Sequence, residues 1–307
     1  MKKILVIGAS GFVGPYLCQN LKDNGYDVFG TKTKNQKQNF CGHCFDLNIL
    51  NKNEIKDVLQ QIKPDCIIHL AAQSSVKLSW ENPSLTFEIN VLGIINVFES
   101  LKEINLKPRI LLVGSSEEYG NVKTILVNEN EKTNPTNFYA LSKLTQEKIG
   151  LIYHNSFGFD VILARSFNHI GPNQTTQFVV SDFAKQIADI EKNPSKNTLF
   201  VGNLNAKRDF SDVRDIVNAY RLLIEKGQSG ELYNVGSGES ISIKEILDIL
   251  VSLSNCEISI KVDENKLRPV DTKDVKADIS KLVKDTNYSQ KFNIKETLKD
   301  VLNSFRN

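Results

Sequence analysis

The sequence has no surplus of charge of either sign. Its 38 lysines and arginines stand against 36 acidic residues, a formal net charge of +2. Such a balance excludes the broad field that gathers nucleic acid or a membrane surface, so affinity for an anion has to come from local basic groups. Long apolar runs are missing as well. No stretch approaches roughly 18 uninterrupted apolar residues, and no bilayer-spanning helix is expected. Met1-Lys2-Lys3 is followed by only Ile4-Leu5-Val6-Ile7 before Gly8, too short for the core of a secretory signal, so a cytoplasmic chain is expected. The five cysteines, Cys18, Cys41, Cys44, Cys66 and Cys256, are odd in number and scattered, which excludes a disulfide framework. Cys41-Gly42-His43-Cys44 has redox-motif spacing, but it runs into Phe45-Asp46-Leu47, a short strand rather than the helix N-terminus a thiolate needs. Two reduced thiols on a strand edge are expected. No second Cys/His pair follows at zinc-site spacing, and no metal is expected.

What is present is an alternation. Short aliphatic runs at 4–7, 28–30, 66–70, 110–113 and 161–165 read as buried strands. Between them, 12–24, 51–62, 83–104 and 139–154 read as helices, with Pro15 and Pro83 in first turns where a missing N–H is tolerated. Strands alternating with helices imply right-handed crossovers and a parallel sheet covered on both faces. Beyond residue 166 the pattern is less regular, with helices over 178–192, 212–226 and 242–253 and short strands over 198–201 and 232–235.

Gly8-Ala9-Ser10-Gly11-Phe12-Val13-Gly14 follows the first strand and opens the first helix. Glycines at this spacing allow a tight turn, close approach of backbone to a pyrophosphate, and close helix–strand packing, while the helix N-terminus at Phe12 and Val13 offers free N–H groups. In that context the motif predicts a dinucleotide site. Asp46-Leu47 can meet the adenine edge, and Leu70-Ala71-Ala72 offers small residues and backbone to the same ligand. Tight packing at Ala71-Ala72 and a helix cap at Asp46 are the alternatives. The expected fold is therefore α/β, a Rossmann-type doubly wound parallel sheet over 1–166, to which segments near 205–236 return, and a smaller α/β substrate-binding lobe mainly over 167–307. After the second strand, where an acid would select NAD, stand Lys32 and Lys34. Either suits a 2′-phosphate, which tilts the choice between NAD and NADP toward NADP; both also suit a solvated surface.

Tyr139-Ala140-Leu141-Ser142-Lys143 sets a phenol and an ammonium on one helix face, where the cation favours the phenolate and makes Tyr139 a usable proton donor or acceptor. Ser115, just past a strand ending at Gly114, can bond the same reacting oxygen. Tyr139 and Lys143 also belong to the coenzyme-contacting set.

The whole arrangement resembles the extended short-chain dehydrogenase/reductase family. Leu112-Val113-Gly114-Ser115-Ser116-Glu117-Glu118-Tyr119-Gly120, Phe167-Asn168-His169-Ile170-Gly171-Pro172-Asn173-Gln174, Arg208-Asp209-Phe210-Ser211-Asp212-Val213-Arg214-Asp215 and Leu267-Arg268-Pro269 with Asp271 are similar to GDP-6-deoxy-4-keto-mannose reductases. GDP-mannose 4,6-dehydratases and enzymes of GDP-linked heptoses are near relatives. The resemblance implies redox at C4 of a GDP-linked sugar, foremost reduction of a GDP-4-keto-6-deoxyhexose. The rival activities are 4-dehydrogenase or 4,6-dehydratase on a hexose or heptose, in which Glu117 would take the C5 proton. It implies that Asn168, Lys185, Arg208 and Arg268 hold the diphosphate or guanine end, that Asp271 takes a ribose hydroxyl, and that Ser74 and Val179 line the substrate. An Arg208–Asp212 ion pair and a loop-ordering Arg268 are the plainer readings. The resemblance also implies a homodimer through the helices over 83–104 and 139–154, with tetramers left open. A non-catalytic dinucleotide-sensing protein on the same fold is the reading from another class.

Overall fold

The computed structural model describes residues 1–266 and 274–306. Seven parallel strands form its main sheet: Lys3–Ile7, Asp27–Lys32, His43–Asp46, Cys66–His69, Arg109–Ser115, Val161–Ser166 and Leu232–Val235. Counted along the chain, they lie in the order seventh, sixth, fifth, fourth, first, second, third. The chain thus winds outward from Lys3–Ile7 in one direction, then returns to its other side at Cys66–His69. A crevice opens at that reversal, at the carboxyl ends of the strands.

Both faces of the central strands are buried, which is why Lys3–Ile7, Cys66–His69, Arg109–Ser115 and Val161–Ser166 carry runs of aliphatic residues rather than alternating ones. Helices Val13–Asp23 and Val213–Lys226 cover one face with Leu17, Leu21, Val217 and Leu223. Lys52–Ile62, Gly93–Glu103 and Phe138–Phe157 cover the other, burying Ile55, Leu59, Val97, Phe98 and Leu101. A separate core holds Val179–Lys192, Ile243–Ser252 and Ile294–Arg306 together through Phe183, Ile187, Ile246, Leu250, Leu298 and Leu302.

The stretch expected as one helix over 83–104 is interrupted. A separate helix, Val76–Glu81, precedes it, Asn82 caps Pro83–Phe87, and a π turn over Glu88–Leu92 joins that piece to Gly93–Glu103. The wide turn carries Asn90 inward, where its side chain accepts from Gln73 N at 2.8 Å and donates to Gln73 O at 3.0 Å and Ser142 Oγ at 2.9 Å. Buried amides require such partners, and here they distort the helix. Pro83–Glu103 is the one helical run among the described residues with the length and apolar composition to cross a bilayer; 44% of its apolar window is buried within the chain. Cys41 and Cys44 are free, on the edge strand and its approach, and burial pushes the Cys44 thiol up rather than toward the thiolate.

Gly14 is the tightest joint between the first helix and the turn before it, because a Cβ there would overlap the Ala9 carbonyl. Gly14→Ala is expected to destabilise the protein by about 1–3 kcal/mol, read as a lower urea midpoint with unchanged slope.

Candidate active site

The glycine turn is shaped around a close approach. Gly8 has φ +89°, and a Cβ on it would lie 2.7 Å from Ala71 N, so the turn and the end of the fourth strand touch through backbone. Ala71 N and Leu70 N both donate to Ile7 O at 2.9 Å. Gly11 differs from its neighbours: the nearest atom to a Cβ there is Gly8 O at 3.5 Å, so the space above it is open. An open glycine at a helix start, with the N–H groups around Phe12 and Val13, fits the pyrophosphate of a dinucleotide. Phe12 stacks on the His169 ring (centroids 6.1 Å apart, 5° between planes), which ties this turn to the segment carrying Asn168. At the ends of the second and third strands Lys32 pairs with Asp46, and Leu47 is buried beside them. Asp46 is therefore the ion partner of Lys32 rather than a helix cap. Ala72 is partly buried.

Ser115 is the last residue of its strand, not the first beyond it, and is 8% exposed. Its Oγ accepts from Glu117 N at 3.2 Å, and its hydroxyl lies against the Tyr139 phenol and favours the phenolate. Tyr139 and Lys143 occupy the first two turns of Phe138–Phe157, whose N-cap is Asn137, accepting from Ala140 N at 2.8 Å. Asn137 Nδ2 also donates to Glu117 Oε2 at 3.2 Å, so the turn carrying Ser115 and Glu117 meets the start of the helix carrying Tyr139 and Lys143.

The electrostatics differ from the expectation in one respect. Burial and the acids Glu117 and Glu118 push the Tyr139 phenol up, and the Ser115 hydroxyl is what counteracts them. Lys143 was expected to lower it. Instead Nζ donates to Gln146 Oε1 at 2.9 Å, and burial pushes Lys143 itself down to about 8. With Nζ on the Gln146 amide oxygen, Glu117 and Glu118 are the charges that bear on the Tyr139 phenol. His69, fully buried at the end of the fourth strand, is pushed down to about 3 by burial and by Lys143, and stays neutral.

Among the substrate-side residues, Asn168 Nδ2 donates to Asp209 O at 3.5 Å, which brings it beside Arg208. Arg208 Nη1 donates to Lys207 O at 2.7 Å. Asp212 is held by Arg214, Nη2 to Oδ2 at 2.6 Å and Nε to Oδ1 at 2.9 Å, because Asp212 caps the helix on which Arg214 sits. Val179 opens the helix Val179–Lys192, on which Lys185 pairs with Asp189. Ser74 is exposed in the loop after the fourth strand. Arg268 and Asp271 lie outside the described residues. Sequence reasoning missed Asn90, whose signal was a polar residue inside an apolar helical run, and it missed Gln73 in the loop after the fourth strand, Gln146 three residues beyond Lys143, and the partners of Glu118.

With this geometry in view, the comparisons are direct. The family described as GDP-mannose 4,6 dehydratase matches residues 5–301. The chain belongs to that family. The GDP-6-deoxy-D-mannose reductase of Pseudomonas aeruginosa is 32% identical over 306 residues, 99% of this chain and 97% of that one. The GDP-6-deoxy-D-talose 4-dehydrogenase of Aggregatibacter actinomycetemcomitans is 30% identical, over 92% of this chain and 90% of its own. The structure of RMD from Pseudomonas aeruginosa complexed with NADPH superimposes with a TM-score of 0.90 at 30% identity, covering 100% of this chain and 99% of the other.

Lys143 also makes a stability prediction. Its folded pKa lies below the ordinary 10.5, so a buried ammonium opposes folding fully below about pH 8, and the penalty fades as pH rises toward 10.5. Lys143→Met is expected to raise stability at pH 7 by about 1–3 kcal/mol in chemical denaturation, with the gain vanishing above pH 10.5.

Proposed function

We propose that this protein reduces the C4 carbonyl of a GDP-linked 4-keto-6-deoxyhexose with NADPH. The observation that carries the reading is the Ser115 hydroxyl set against the Tyr139 phenol, with Lys143 one turn further along the same helix, at the carboxyl ends of the sheet. The likeness to a GDP-6-deoxy-D-mannose reductase along 99% of the chain supports the substrate class. A nicotinamide coenzyme supplies the hydride when bound. Tyr139 gives its proton to O4 as C4 is reduced, Ser115 orients that oxygen, and Lys143 stabilises the phenolate left behind. Lys32, at the end of the second strand, is the group we assign to the 2′-phosphate, exchanging Asp46 for it. Arg208 and Asn168 are assigned to the nucleotide end with Val179, Lys185 and Ser74, and Arg268 and Asp271 complete that set from the sequence.

A dehydratase reading has one observation in its favour: Glu117 stands two residues after Ser115, oriented by Asn137 on the cap of the tyrosine helix. Purified protein given GDP-4-keto-6-deoxymannose should consume NADPH, followed at 340 nm. Turnover of GDP-mannose that releases water and needs no added reduced coenzyme would overturn the reductase assignment.

We further propose a homodimer through the helices that expose Leu92, Leu141 and Ile152, 51%, 42% and 56% accessible in the single chain. A monomeric mass in light scattering contradicts it. Tyr139→Phe is expected to lower kcat at least about 100-fold with KM for either substrate within about threefold. Lys32→Ala should weaken NADPH about tenfold and leave NADH nearly unaffected, measured by coenzyme fluorescence.

A further inference from the structure

Behind Ser115 lies a buried group of charges that the reaction just described does not use. Glu118 is wholly buried, and Arg165 and Glu147 are 3% and 4% exposed. Glu118 Oε1 accepts the Ser115 N–H at 2.7 Å, completing a reciprocal cap with the Ser115 hydroxyl. Its Oε2 accepts from Arg165 Nε at 3.2 Å. Arg165 gives its fork to Glu147, Nε to Oε2 at 2.8 Å and Nη2 to Oε1 at 2.9 Å. Room for the Glu118 carboxyl comes from Gly114, where a Cβ would lie 2.5 Å from Glu118 Oε1. The acid is thus wedged under the peptide that ends the strand and presents Ser115.

The turn Ser116–Tyr119 packs on Phe138–Phe157 and on Val161–Ser166. From the helix, Tyr139, Lys143 and Glu147 face Glu118, with Lys148 Nζ donating to Glu147 at 2.9 Å. From the strand comes Arg165, whose guanidinium lies 4.5 Å from the centre of the Tyr119 ring. Glu117 is the remaining acid of the turn, and neutral His69 faces Lys143. Glu118 and Glu147 also meet in a hydrogen bond between carboxyl groups. Two such acids cannot both ionise freely around one arginine. Glu147 has the arginine fork and Lys148, so the proton stays on Glu118, which burial and Glu147 push up to about 8. Lys143 is pushed down into the same range by burial, and Glu118 is the neighbour that holds it up. At the far end Glu147, Arg165, Lys148 and Lys132 line a cavity of about 410 Å³ open to solvent, a route for proton exchange that does not cross the Ser115 side of the turn.

Resting on the catalytic reading of Ser115, Tyr139 and Lys143, we propose that Glu118 is a positioning residue of that set. Its carboxyl fixes the Ser115 backbone, and its charge decides how long Lys143 remains an ammonium as pH rises. Glu118→Gln keeps an acceptor for Ser115 N–H and mimics the protonated acid, but it never gains the charge that supports Lys143 above pH 8. Its kcat loss, assayed with GDP-4-keto-6-deoxymannose and NADPH, should therefore grow with pH, and the alkaline inflection should move down by about one unit. Glu118→Leu removes the clamp as well and should lower kcat at least about tenfold at every pH, with KM within about twofold. A merely structural role predicts lower melting temperatures and activity lost in proportion, with the inflection unmoved; that result overturns the proposal. A second measurement needs no sugar substrate. The Lys143 Cε signal in 13C-lysine NMR of the NADP+-bound protein, assigned with Lys143→Arg, should titrate at lower pH in Glu118→Gln than in the parent. Equal titration overturns the proposal even where the reductase assignment stands, and a shifted titration upholds it even where the assay finds no reductase activity.

Discussion

A parallel sheet covered on both faces leaves its strands one outlet to ligands, their carboxyl ends. Seven strands run the same way here, and helices bury both sides of the sheet. The glycine turn after Lys3–Ile7, Lys32 and Asp46 on their strands, Leu70 after Cys66–His69, and Ser115 on Arg109–Ser115 therefore all arrive at one edge. Because the strand order reverses beside Lys3–Ile7, that edge is split by a crevice instead of being closed by a crossover. The Tyr139/Lys143 helix covers the sheet face on which it can lay its first turns against Ser115.

The chemistry at this edge depends on charges held where water is scarce. Desolvation raises Tyr139 and Glu118 and lowers Lys143 and His69, so each of these groups is driven toward its neutral form. His69 has no partner for either ring nitrogen among the described residues, which suits an uncharged imidazole packed behind the lysine. Arg165 is the exception: it keeps its charge through Glu147 and Glu118 and makes the burial of two acids tolerable. Polar groups that are individually costly to bury thus stabilise one another around the end of the fifth strand.

A second buried carboxylate organises the region around Arg208 and Asn168. Asp209 is wholly buried and accepts from Ser237 N at 2.8 Å, Ser237 Oγ at 2.7 Å, Gly238 N at 2.9 Å and Ala277 N at 3.0 Å. One side chain so joins three distant segments next to Arg208. Across the crevice the Phe12–His169 stack and the bond from Tyr16 Oη to Pro172 O at 2.8 Å link the first helix to the same region. The glycine turn and the Asn168 segment are consequently held in fixed relation.

Much of this was legible in the chain. Aliphatic runs separated by amphipathic helices specify a parallel sheet, since both patterns follow from which faces are buried. Gly8, Gly11 and Gly14 mark the turn because only a missing side chain permits its backbone contacts, and the spacing of Tyr139 and Lys143 follows from the helical period. Long-range partners were beyond it. Nothing near Asn168 in sequence says that it will meet the Asp209 carbonyl, 41 positions away, or that Tyr16 will reach Pro172, 156 positions away. The π turn at Glu88–Leu92 arises from Asn90 meeting Gln73 and Ser142, residues 17 and 52 positions away. The network of Glu118, Arg165 and Glu147 likewise joins a turn, a strand and a helix. Local pattern therefore determined the elements and which polar side chains stand at the carboxyl ends of the strands. Their proton affinities and orientations were decided only by tertiary packing, because desolvation and pairing depend on atoms that come together when the chain folds.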